Sequence, residues 1–148
     1  MSSVRVKIVG VGDSTTAGTP QFLSPLEVPP AGRGNPESQY AYWMMRDHPN
    51  WLVLNRGING QRSDEILSRL ERDVIREGPD YAVILAGVND IYQGVALKSV
   101  EQNLLEMYMS TREVRIVPLA ATVLPYNTAT NLEASNIRAL NSWIKTSA

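Results

Sequence analysis

Gly12-Asp13-Ser14-Thr15 follows the apolar run Val4-Arg5-Val6-Lys7-Ile8-Val9 after Gly10-Val11, which places a serine hydroxyl on the turn leaving a buried strand. A serine there can attack a carbonyl carbon, and acyl transfer through it needs preorganised donors to receive the oxyanion that forms. Two further segments stand at the ends of later apolar runs: Asn55-Arg56-Gly57-Ile58-Asn59-Gly60 and Gly87-Val88-Asn89-Asp90. Glycine lets a backbone approach a substrate closely, and an asparagine amide donates hydrogen bonds while staying neutral at any working pH. Each block alone has an ordinary explanation. Asp13 could merely hold its turn, Gly57 could be a turn glycine, and Asn89-Asp90 could cap a helix. Three such blocks in this order, each at the C-terminal end of a strand where open α/β sheets bind ligands, argue against coincidence.

Other chemistries fail on spacing. Gly10-Val11-Gly12 opens like a dinucleotide fingerprint, but Thr15 stands where the third glycine should be, and no Gly-x-x-x-x-Gly-Lys-[Ser/Thr] phosphate loop occurs. Thr16 likewise occupies the last glycine position of the Gly-x-Ser-x-Gly elbow. With no cysteine and one histidine, neither a thiolate metal site nor a multi-histidine centre can form. A net charge of -1 and 20% charged residues give no basic surface for nucleic acid and no polybasic membrane anchor. No apolar run is long enough to cross a bilayer. The N-terminus shows no signal-peptide segment, so the expected location is cytoplasmic.

The elements that must hold these blocks are readable as apolar runs alternating with helical periodicity, the pattern of an α/β domain with a mainly parallel sheet. Strands are predicted at 4–9, 51–55, 81–86 and 114–119. A first helix is predicted from Asn35, with Pro36 at its first position, to His48-Pro49. Ser63 is placed as the cap of a second, with core positions Ile66, Leu67, Leu70 and Val74 and a stop at Gly78-Pro79. Val100, Leu104, Met107 and Tyr108 mark a third, and Thr130-Asn131-Leu132-Glu133 reads as a capping box opening a fourth. Residues 16–34 carry four of the nine prolines and show neither period. They read as a long ordered loop or lid, whose Phe22, Leu23, Leu26 and Val28 either line an acyl or aryl pocket beside Ser14 or pack over the first helix.

Taken together, the three blocks resemble the SGNH (GDSL-type) hydrolases from about Val4 to the fourth strand. The resemblance implies a single three-layer α/β/α domain over residues 1–148, flavodoxin-like in its mainly parallel sheet, with strand order 2-1-3-4. It implies serine-dependent hydrolysis of small esters or thioesters through an acyl-enzyme, with no cofactor or metal. Ser14 would be the nucleophile. The N–H of Ser14, the N–H of Gly57 and the amide of Asn89 would form the oxyanion hole, with Asp13 in support and Asp90 bracing the Asn89 loop.

Family members draw their general base from an Asp-x-x-His that does not occur in these 148 residues, so a C-terminally truncated domain with impaired hydrolysis is expected. His48 lies at the far end of a helix that returns from the nucleophile, at the opposite edge of the sheet, and is expected to play no catalytic part. The strand at 114–119 would then be an edge, favouring a homodimer through that strand or the last helix. The alternative is a non-enzymatic α/β fragment that binds a ligand or associates with itself; a flavodoxin-like binding module is disfavoured by the missing phosphate loop.

Overall fold

Side chains alternate across the first strand, β1 (Val6–Gly12), and this alternation feeds two apolar cores. The computed structural model, described for residues 4–148, continues through α1 (Ser14–Ala17), β2 (Phe22–Leu23), β3 (Arg33–Gly34), α2 (Tyr40–Asp47) and β4 (Trp51–Gly57). It then runs through α3 (Ser63–Ser68), α4 (Leu70–Asp73), β5 (Tyr81–Leu85), α5 (Val88–Tyr92), α6 (Leu97–Glu113), β6 (Val117–Ala120) and α7 (Asn131–Ser147). Ile8 and Val53 meet Ala41, Met44 and Met45 of α2 on one face of the sheet. On the other, Val9, Val11, Ala82 and Ile84 pack with Ile66, Leu70, Leu104, Met107 and Leu140 from α3, α4, α6 and α7. Helices therefore cover both faces, and the central strand is apolar beyond Lys7, whose ammonium reaches Glu77 at the strand's start, as suits a doubly covered parallel strand.

The four long strands are parallel in the order β4-β1-β5-β6, which is the expected 2-1-3-4 arrangement. Register carries the functional consequence. Gly12 pairs with Gly57 on one side and Leu85 on the other, so the three blocks leave the sheet side by side at its C-terminal edge. Among the described residues, no helix is long and apolar enough to cross a membrane.

Several boundaries differ from expectation for visible reasons. β1 starts at Val6 and continues through Gly10 and Gly12, because the bare backbone at Gly10 makes room for the Tyr40 ring. β6 starts only at Val117: Val114 closes α6, and Arg115 turns the chain with φ 64. Asn35 does cap, its Oδ1 accepting the Glu37 N–H, but it caps a 3-10 turn over Pro36–Ser38. Gln39 is extended and separates that turn from α2. The second predicted helix is broken at Arg69, and Ser63 is its first residue, not its cap. At α7 the predicted capping box is present, with Thr130 Oγ1 accepting from the Glu133 N–H and Glu133 Oε1 from the Thr130 N–H.

Candidate active site

The nucleophile turn is a single helical turn held from three sides. Asp13 Oδ1 accepts the Thr15 N–H at 3.0 Å, which caps α1 and presents Ser14 as its first residue. From α2, the Tyr40 hydroxyl donates to Thr16 Oγ1 at 3.3 Å, and from β4 the Asn55 amide donates to Ala17 O at 3.0 Å. Ser14 is half-buried and faces an open cleft of about 440 Å³. Asn89, the second residue of α5, lines the same cleft. Two of the three residues implied as site donors are thus brought together.

Gly57 is placed otherwise. Its N–H donates to Asn55 Oδ1 at 3.0 Å, its carbonyl accepts from Ser24 Oγ at 2.6 Å, and it does not line the cleft. Its lack of a side chain serves packing, because a Cβ would stand 2.7 Å from Ala17 Cα and closer still to Ala17 N. Gly60 of the same block, also outside the cleft lining, has φ +80 and open space where a Cβ would be. No backbone acceptor among the described residues takes its N–H. The next residue, Gln61, accepts from Asn89 Nδ2 at 2.9 Å, so the tip of this turn and the Asn89 amide are already in contact. Gly60 stands in the same sequence block as Gly57, and its positive φ is what sets the two apart.

Asp90 is fully buried and spends both oxygens on Ser63: Oδ1 accepts the Ser63 N–H at 2.8 Å and Oδ2 the hydroxyl at 2.7 Å. Asn103 Nδ2 donates in turn to Ser63 Oγ at 3.0 Å. Asp90 therefore satisfies the first N–H of α3 while lashing the loop of Asn89 to the turn carrying Gly60 and Gln61. Burial raises its pKa, with the Ser63 hydrogen bonds opposing.

Asp13 has only 1% of its surface exposed, and burial raises its pKa from 3.8 to about 6 against the hydrogen bond from Thr15. The folded chain then binds an extra proton between those two values. Stability from this group is complete below 3.8 and is lost as the pH rises through about 6. Replacing Asp13 with Asn keeps an acceptor for Thr15 and removes the ionisation. Between about pH 4 and about pH 7, the protein should lose about 2 kcal/mol relative to Asp13→Asn, measured by denaturant unfolding of both chains at each pH. A difference that stays constant would count against the buried carboxylate.

The rest of the cleft is apolar: Leu85, Val88 and Tyr92 on one side, and residues 123–126 on the other. The Tyr126 hydroxyl donates to Glu133 and is not aimed at the cleft centre; burial first, then the neighbouring carboxylate, push its pKa up to about 12. Phe22, Leu23, Leu26 and Val28 take no part in this lining. Within that loop Phe22 is buried and β2 pairs with β3, while Glu27 accepts the Asn59 N–H, so the segment packs against the glycine block and not over the nucleophile. His48 closes α2 and stacks on Trp51 with ring centroids 3.7 Å apart, at the start of β4 and hence at the opposite edge of the sheet from Ser14.

Comparison with known proteins gives the family and the fold. Among curated relatives, the lipoprotein YqeF of Bacillus subtilis (strain 168) is 26% identical over 62% of this chain and 46% of its own length. An acetylxylan esterase of Geobacillus stearothermophilus is 29% identical over 49% of this chain and 32% of its own. The chain matches less than half the length of either. Of solved structures, a G-D-S-L family protein from Desulfitobacterium hafniense DCB-2 superposes with a TM-score of 0.78 at 26% identity, over 96% of this chain and 71% of that one. The acetylxylan esterase Axe2 of Geobacillus stearothermophilus shares the fold, with a TM-score of 0.75 at 21% identity over 98% and 72%. The model of the GDSL-like Lipase/Acylhydrolase family matches residues 11–148, and the chain belongs to that family.

Proposed function

We propose that this chain carries the nucleophile and the oxyanion donors of a serine esterase acting on small esters or thioesters. The observation that supports this most directly is the shared cleft: Ser14 and Asn89 leave different strands and face one apolar-walled space. Ser14 Oγ attacks the ester carbonyl, an Oγ–C bond forms, and the alcohol departs with a proton; water then cleaves the acyl-serine and restores the hydroxyl. The charge on the carbonyl oxygen is met by the Ser14 N–H and the Asn89 amide. The Gly60 N–H, at the turn that Asn89 already touches, takes the third place in this reading. Asp13 and Asp90 hold the two loops. The acetylxylan esterase relative makes acetylated sugars a natural first substrate class to assay.

A p-nitrophenyl phosphonate ester tests the assignment without requiring turnover. Ser14 Oγ bonds to phosphorus, p-nitrophenolate leaves and the serine proton passes to water, so slow labelling that ends at one equivalent of phenolate and one phosphonylated peptide containing Ser14 is expected. The His48→Ala chain should label at the parent rate, and Ser14→Ala should not label. A label on another residue, or equal phenolate release from Ser14→Ala, would sink the reading.

A further inference from the structure

Arg69 interrupts the helical run between α3 and α4, and its guanidinium, with 4% of the residue exposed, is turned inward behind the site. Nη2 donates to Gly12 O at 2.9 Å, Nη1 to Arg56 O at 2.8 Å, and Nε to Gln61 Oε1 at 2.7 Å. Nη1 also reaches Asp73 Oδ2 at 3.2 Å. Gly12 closes β1 two residues before Ser14, and Arg56 is the penultimate residue of β4. Gln61 is the joint, since its side chain accepts from Arg69 while its carbonyl accepts from the Asn89 amide. One planar cation thus grips the root of the nucleophile turn, the root of the glycine turn and the residue that holds Asn89.

Satisfying two strand-end carbonyls does not require a charge. A buried ion pair replaced by apolar residues of similar size often costs no stability, so the pair has little value as glue. What a guanidinium supplies is a rigid, flat fork of donors, which fixes its acceptors relative to one another in a way that a lysine on a flexible stem cannot. The charge itself is compensated by Asp73: burial pushes that carboxyl up, but hydrogen bonds from Arg72 and Arg69 outweigh it and hold the pKa below the ordinary value. Arg72 Nε binds Asp73 Oδ1 at 2.9 Å, so the carboxylate keeps a partner when Arg69 is replaced.

We propose that Arg69 is a positioning residue which, on the esterase reading above, sets the Asn89 amide against Ser14 through Gln61. Hydrogen exchange of the Asn89 side-chain amide tests this without turnover, its NMR signal being assigned by its loss in Asn89→Asp. In Arg69→Met and in the charge-retaining Arg69→Lys, exchange should accelerate at least about tenfold in the folded protein. Parent-like exchange in either folded variant overturns the proposal. Turnover gives a second reading. Arg69→Lys should lower kcat at unchanged KM, and Arg69→Lys with Asn89→Ala should lose no more than Asn89→Ala alone, because both changes remove one donor. Additive losses would mean that Arg69 acts elsewhere, which also overturns it. Should Ser14→Ala leave turnover untouched, the esterase reading falls by itself, and amide exchange still decides the role of Arg69.

Discussion

Extending the chain beyond Ala148 with a segment that brings an Asp-x-x-His histidine to Ser14 is expected to raise ester turnover by at least about a thousandfold. Ser14 and Asn89, the proposed nucleophile and oxyanion donor, line one cleft, but the single histidine of these 148 residues stacks on Trp51 at the far edge of the sheet. The serine proton must then pass to water, which is a poor base at neutral pH. Proton transfer to a positioned side chain typically contributes about 100- to 10,000-fold, and the orienting carboxylate adds to it. Hydrolysis of p-nitrophenyl acetate by the 148-residue and extended chains, each beside its Ser14→Ala control, measures the gain. Fast, Ser14-dependent turnover from the 148-residue chain would show that a base already exists among its own residues.

Asn89→Ala should cost about 100- to 1,000-fold in turnover in either chain, the usual loss for one oxyanion donor, while KM changes little. The fold should tolerate the change. Asn89 Nδ2 contributes one hydrogen bond, to Gln61 O, whereas Asp90 ties the same loop to Ser63 through two and remains in place. A matched loss in thermal stability and rate would instead mark Asn89 as a loop brace, and an unchanged rate would remove it from the reaction. Steady-state kinetics beside a melting curve separates these outcomes.

The sheet was legible because each strand is an apolar run ended by a residue type that strands avoid, and strand order followed from the family resemblance. The ends of strands were harder to read. Gly10 and Gly12 look like turn residues, yet they continue β1 because neighbouring side chains need the room, a tertiary fact with no local signature. The second helix had the right core stripe at Ile66, Leu70 and Val74, but the stripe does not say that Arg69 between them turns inward to the strand ends and breaks the run. The same limit applied at the site. Residue types pointed to Ser14 and Asn89, whereas the two glycines of one block, Gly57 and Gly60, could be told apart only by where their backbones sit. One packs on α1 with its N–H spent on Asn55; the other stands open at φ +80.

Because Gly57 lets β4 touch Ala17 directly, the turn that carries Ser14 is seated at that point on bare backbone, with no room for a side chain at position 57. Two other residues of the lining are built differently: Tyr92 is 69% exposed and Leu124 62%. The cleft therefore works like a vice with one fixed jaw and one adjustable jaw. On the esterase reading, selection for a bulkier or more polar ester would be channelled into positions 92 and 124, and a side chain at position 57 would displace the Ser14 turn before it could change the substrate.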